Sequence, residues 1–329
     1  MEIDQSQNEN RVESPESVFP KRKNRRFFAI LVAATFGWGM TYISEFLVEI
    51  FGIALFVLLP LSVAVCSTVI GGYKNSVSKY DLRLDAYLTL TLYCVGLLIF
   101  AFEGLICLIM AAPFGIVFTW LGYLLGYQIL KQKKLTHQAG GLILVLLSVP
   151  AVLSFEYLHQ EGEDIRSVVT CIEINAAPDV VWKNLVEFPV MDEPEEFIFT
   201  SGIAYPISAR IVGTGVGAMR YCNFSTGSFV EPITVWEESS LLKFDVIEQP
   251  EPMKELSPYD IHPTHLNGHW VAKEGQFKLT PLANGRTQLE GTTWYTNRIK
   301  PDFYWTLWSD YIVHKIHLRV LEHIKTQCE

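Results

Sequence analysis

Between Phe27 and Tyr157 this chain carries little charge, and its lysines and arginines are confined to every second gap between long apolar runs. A water-soluble domain cannot be built from such a stretch. Cysteine is sparse: six residues are scattered along the chain and no Cys-x-x-Cys occurs, which excludes a disulfide scaffold and leaves open one disulfide among Cys171, Cys222 and Cys328. Basic residues are in deficit. Residues 161–329 hold 14 Lys+Arg against 24 Asp+Glu. So acidic a region lacks the footprint that nucleic acid requires, and it would not cling by charge to anionic headgroups. A phosphate-binding lysine loop, a Ser-His-Asp or Cys-His set and a marked pair of catalytic acids are all missing. Gly213-x-Gly215-x-Gly217 precedes a strand rather than a helix, so it reads as a turn and not as a nucleotide loop. No cofactor is expected.

What is present is hydrophobicity in blocks. A membrane-crossing helix needs about 20 apolar residues. Five runs meet or approach that length: 27–47, 51–72, 86–102, 105–130 and 139–157. Before them, residues 1–26 read as a cytoplasmic disordered tail ending in the basic cluster Lys21–Arg26. Lys74, Lys79 and Arg83 follow the second run, and Lys131, Lys133 and Lys134 follow the fourth. The other two gaps hold only Glu45, Glu49 and Glu103. All three basic segments therefore fall on one side, which places the N-terminus in the cytoplasm and the C-terminal half outside it. No ionisable residue is expected in mid-span, which argues against an ion-coupled transporter. Gly37-Trp-Gly39 and Gly122-x-x-x-Gly126 are small-residue faces, read as intramolecular helix packing in preference to dimerisation. Glu49, Pro60 and Tyr73 match Glu103, Pro113 and Tyr127 in order, an arrangement open to either an internal repeat or chance.

From residue 165 the pattern changes. Ser167–Ile174 alternates like a strand. Asn175 is a candidate N-cap before Pro178, and Val180, Trp182, Leu185 and Phe188 are spaced as a short helix. Strands are predicted over 207–211, 218–224, 229–237, 241–246, 275–280 and 287–295, followed by a long helix from Asp302 to Lys325. The opening IEINAAPDVVWKNLVEF (Ile172–Phe188) carries a family resemblance. So do Gly213 to Gly217 with Arg220, Gly227, Glu231 and Trp236, and the late hairpin around Gly275, Phe277, Leu279, Gly285, Thr287 and Leu289. Residues 165–329 resemble the START-like superfamily, also called SRPBCC, which includes polyketide cyclases and lipid-transfer domains. Within it they are similar to bacterial members that carry an N-terminal membrane region. The resemblance implies a helix-grip fold: a curved antiparallel sheet around a long C-terminal helix, with an apolar cavity between them. The expected whole is an all-α bundle of about five transmembrane helices followed by an α+β helix-grip domain, in a bacterial inner or plasma membrane.

The candidate cavity residues are Arg220, Phe224, Phe229, Glu231, Phe244, Phe277, Trp308, Tyr311 and His314. A two-residue hairpin loop at Thr226-Gly227 would put Arg220 and Glu231 on one face as diagonal neighbours. They would form either a charge pair inside the cavity or a surface pair worth under about 1 kcal/mol. Asp310 and His314 are i,i+4 neighbours, more simply a solvated pair than a general base with its orienter. His262 and His265 lie in the long segment 249–268 and His269 follows it directly; with Pro263 among them and no cysteine, a lid over the cavity is the better reading and no metal is assigned. The leading expectation is a membrane protein presenting a domain that binds an apolar ligand, lipid or lipid-like, with membrane lipids as its surroundings. The alternatives are a cyclase- or hydrolase-like enzyme on an apolar substrate, and an assembly or sensor protein.

Overall fold

The structure is a computed structural model that describes residues 22–74, 77–160, 162, 164–259, 261, 262, 264–266 and 268–329. The tail expected over residues 1–21 lies outside the described residues. The basic run does not: α1 (Arg22–Tyr42) begins within it and continues as a π-helical segment, Ile43–Val48. A second π segment, Ala54–Leu58, leads into α2 (Leu59–Gly72), and α3 (Lys79–Ile99), α4 (Leu105–Leu130) and α5 (Leu135–Leu158) follow. Five helical stretches are long and apolar enough to cross a membrane. The α2 segment is the buried centre and α5 the periphery. Gly122 and Gly126 of α4 seat against Leu61, Ala64, Val65 and Thr68 of α2, so this small-residue stripe is spent inside the bundle.

Two details differ from the sequence reading. The third helix starts seven residues before the expected Ala86, and so carries Asp81, Arg83 and Asp85. It can do so because Arg26 of α1 grips buried Asp85 with two 2.7 Å hydrogen bonds, and Ser78 caps the start by accepting from the Asp81 N–H. Glu45 is not in a gap but inside the π segment that ends the first span, and it is buried.

The second half is a seven-stranded antiparallel sheet in the order β1-β7-β6-β5-β4-β3-β2. The strands are β1 (Ile165–Ile174), β2 (Pro206–Val212), β3 (Met219–Phe224), β4 (Gly227–Glu237), β5 (Leu241–Asp245), β6 (Trp270–Pro281) and β7 (Thr287–Asn297). Two short helices, α6 (Pro178–Val186) and α7 (Phe197–Thr200), link β1 to β2, and α8 (Asp302–Cys328) lies across the sheet. This is a helix-grip arrangement. Gly213, Gly215 and Gly217 have φ of +94°, +76° and +88° in the turn before β3, a conformation that only glycine adopts freely.

The N-cap of α6 is Ala177, with Pro178 at the first position. Asn175 sits two residues too early, and its N–H donates to Glu329 instead. Val181, Trp182 and Leu185 form the buried face of α6, while Val180 is partly exposed. They join Ile174, Leu289, Val320, Leu321 and Ile324 in one core under the C-terminal half of α8. Trp182 meets Trp236 edge-to-face at 5.5 Å. Trp182→Ala empties that contact and should cost about 3–5 kcal/mol of stability. A thermal midpoint within a degree or two of wild type would contradict the packing.

Candidate functional site

The N-terminal half of α8 is not packed like the C-terminal half. Between it and the sheet lies a cavity of about 190 Å³. Of the expected residues, Arg220, Phe224, Phe229, Glu231, Phe244, Phe277 and Trp308 all line it. The β3–β4 register is offset by two residues from the expected one. The loop residues are Ser225 and Thr226, and Arg220 pairs directly with Glu231 rather than diagonally. A slip of two preserves the face of every side chain, so the same residues still point inward.

Tyr311 and His314 do not line the cavity. At 100° per residue, the stripe of α8 that faces it runs through Trp305, Trp308, Ser309, Ile312, Val313 and Ile316. Tyr311 and His314 lie off that stripe and are exposed. Nor do Asp310 and His314 pair with each other. Asp310 accepts from the Tyr295 hydroxyl at 2.5 Å, and His314 Nδ1 lies 2.8 Å from Thr170 Oγ1.

Arg220 and Glu231 are both buried and form an ion pair. The guanidinium lies 4.9 Å from the Phe244 ring centre and 5.6 Å from that of Phe277, so aromatic faces share its charge. Burial pushes the Glu231 carboxyl up from its ordinary range, and the Arg220 charge opposes that push. Arg220 itself stays cationic. Its Nε is buried without a partner. Three further buried donors without partners belong to residues of the same cavity: Trp270 Nε1, Asn297 Nδ2 and Trp305 Nε1. Trp270 and Asn297 are cross-strand partners at one end of the β6–β7 ladder.

That end abuts the bundle. Cys107 and Met110 of α4 belong to the cavity lining, and so do Met253, His265 and Leu266 from the segment between β5 and β6. One apolar cluster joins Phe51, Ile106 and Met110 to Phe199, Ile203, Met253, Leu266, Ile299 and Trp305. Tyr304 donates to the Met110 carbonyl, Leu105 N–H to the Leu256 carbonyl, and Ile106 and Cys107 N–H to the Glu255 carboxylate. The three histidines of the segment separate. His262 is exposed and pairs at 2.6 Å with Glu251, which lies at the cavity's edge, but does not itself line the cavity. His269 packs edge-on against Phe51, and only His265 is buried at the cavity. Pro263, between them, lies outside the described residues. Sequence reasoning missed Cys107, Met110, Met253 and Leu266. Nothing distinguishes a cysteine in an apolar run from a packing residue until the fold brings a histidine to it.

No protein-family model matches this chain, and no curated protein matches it either. Solved structures similar to its second half include truncated norcoclaurine synthase from Thalictrum flavum, at 14% identity and a TM-score of 0.33, covering 51% of this chain and 95% of that one. An aromatase/cyclase from a Streptomyces species is similar at 13% identity and a TM-score of 0.33, covering 50% and 94%. A protein from Nitrosospira multiformis is similar at 18% identity and a TM-score of 0.32, covering 50% and 97%. At these identities and scores they carry no inference about function.

His317 gives the cavity wall a pH dependence. Its Nε2 lies 2.8 Å from Thr293 Oγ1 and its Nδ1 3.1 Å from Thr170 Oγ1. Burial, and then the neighbouring His314, push its pKa down to about 4. Above the ordinary histidine value near 6.5, the ring is neutral whether the chain is folded or not. As the pH falls from there to about 4, the unfolded chain gains a proton that the fold excludes, so stability drops. A shift of that size corresponds to roughly 3 kcal/mol. The thermal midpoint should therefore fall more steeply between pH 6.5 and 4 in the wild type than in His317→Gln. Equal slopes would mean that the ring is protonated in the fold.

Proposed function

We propose that this chain is a membrane protein that holds an amphiphilic molecule in a cavity closed jointly by its helix-grip domain and its helix bundle. The observation that carries the reading is the cavity's composite wall: sheet and α8 on the sides, Cys107 and Met110 of α4 at the end. The molecule has an apolar body, because aromatic and aliphatic side chains make up most of the lining. It has an acceptor-rich head, such as a carbonyl or carboxyl, because Trp270, Asn297 and Trp305 bring unpartnered donors to the wall. An apolar cavity of about 150 Å³ holds a benzene-sized ring. At about 190 Å³, this one takes a ring or a short chain segment, and a long acyl chain would have to leave through the bundle side.

Binding is favoured over catalysis by how the polar groups are spent. Arg220 and Glu231 are paired to each other, and His317 is held between two threonines. No acid–base pair at the sheet's centre is left free to act on an occupant.

Native mass spectrometry of the full-length protein in a gentle detergent tests the reading. One amphiphile per chain is expected, lost in a cavity-filling Ala272→Trp variant. A retained fold with no adduct, and no saturable uptake of an apolar fluorescent probe, would overturn it. Trp308→Ala should weaken the probe about tenfold, equivalent to about 1.4 kcal/mol.

The soluble domain sits on the bundle end that carries Glu45, Glu49 and Glu103, opposite the end with Lys74, Lys79 and Lys131. By the bias of basic residues toward the cytoplasm, we place that domain outside it. A reporter active only outside the cytoplasm, fused after Glu329, should be active. Activity of a cytoplasm-only reporter there would reverse the orientation.

A further inference from the structure

The bundle end of the cavity contains a buried cluster that apolar ligand binding does not require. Cys107 Sγ lies 3.1 Å from His265 Nε2, although the two are 158 residues apart in sequence. His265 Nδ1 lies 3.2 Å from Glu103 Oε1. One ligating atom from each of Glu103, Cys107 and His265 falls within 4.8 Å of the others. The second oxygen of Glu103 is buried with no hydrogen-bond donor. The Glu45 carboxyl, from the end of the first helix, is buried and neighbours Glu103. Met253 Sδ stands 4.0 Å from Cys107 Sγ.

Two kinds of chemistry fit a thiol, an imidazole and a carboxylate in a row. One is a cysteine nucleophile with its base and orienter. The other is a metal ion. Charge decides between them. Glu45, Glu103 and Glu255 are all buried or nearly so around one imidazole. Among the described residues, the only ion pair that any of the three makes is Glu103 with His265. A thiolate in that company would add a further negative charge. Its usual support, the N–H groups of a helix start, is already taken, because Glu255 accepts from Ile106 and Cys107 at 3.0 Å each. A divalent cation answers every one of these features: it neutralises the acids, takes the thiolate as ligand and uses the unpartnered carboxylate oxygen.

We propose that Glu103, Cys107 and His265 form a binding site for a divalent metal ion of the zinc class at the seam between bundle and soluble domain. The sulfur, nitrogen and oxygen donors suit Zn²⁺. Zn–S and Zn–N bonds of about 2.3 and 2.0 Å set donors a little over 3 Å apart in a tetrahedral shell; Cys107 and Glu103 now contact different nitrogens of His265, so one of them swings round to the nitrogen that the ion takes. Glu45, or an acceptor group of the cavity's occupant, fills the fourth position. The ion ties the segment carrying His265 to the start of α4. The three protein ligands are in place whatever the rest of the cavity holds.

The test uses full-length protein in detergent, stripped with a chelator and titrated with Zn²⁺ against a chromophoric competitor. One Zn²⁺ per chain is expected. Cys107→Ser and His265→Ala should each weaken it at least tenfold, whereas His262→Ala and Cys171→Ser should not change it. Co²⁺ added to the unmodified chain should give a near-ultraviolet thiolate-to-metal band, a readout that needs no variant to fold. Absence of that band, no saturable Zn²⁺ uptake by folded protein, or equal Zn²⁺ affinity in a folded Cys107→Ser variant would each overturn the site. Rapid alkylation of Cys107 unaffected by Zn²⁺ would point instead to the nucleophile.

Discussion

The start of α4 is where the two halves of this protein become one. Every helix start leaves its first N–H groups without partners inside the helix. Here the soluble domain supplies them: the Leu256 carbonyl takes the N–H of Leu105, and the Glu255 carboxylate those of Ile106 and Cys107. Each charge-assisted bond of this kind contributes about 1.5–3 kcal/mol. The helix dipole adds to it, since a carboxylate at an N-terminus is favoured. Glu156, at the end of α5, does the same for Ile53 and Ala54 before α2. Acidic residues therefore gather at one end of the bundle for a structural reason: they cap helix starts there.

With the cap in place, the apolar contacts follow. Phe56 meets Trp305 at 4.8 Å and Phe114 meets Tyr304 at 4.4 Å. These place the first turns of α8 against the bundle while its last turns grip the sheet. The cavity occurs where α8 passes from one set of contacts to the other. A helix-grip domain separated from its bundle would open that end to water and expose Met253, Leu266 and Trp305.

The five apolar helices and the strand-rich half were legible because both signals are local. Hydropathy over a window finds a span, and alternation finds a strand. The face occupied by Arg220, Cys222, Phe229 and Glu231 was legible even with the register off by two, because period-two alternation does not distinguish that slip. Two things were not legible. The start of α3 needed the Arg26–Asp85 pair, made across 59 residues, before a helix carrying Asp85 could be accepted in an apolar bundle. The Glu103–Cys107–His265 cluster needed a contact between a helix of the bundle and a distant loop. On α8, Tyr311 was placed wrongly because the aromatic crowd on that helix spreads wider than the stripe that faces the cavity.

Charge is spent differently at the two ends of the bundle. At the basic end, Arg26 neutralises Asp85 within the bundle, and the pair needs nothing from outside. At the acidic end, the carboxylates of Glu45 and Glu103 face inward near a single histidine, and that histidine arrives from the other domain. The basic end is complete without the soluble domain, and the acidic end is not. Whatever loosens the hold of His265 on Glu103 leaves that buried carboxylate uncompensated, a penalty of several kcal/mol. The same change opens the end of the cavity that Cys107 and Met110 close. Closure of the cavity's end and the seating of the domain on its bundle are thereby one equilibrium, because both are decided at the same few side chains.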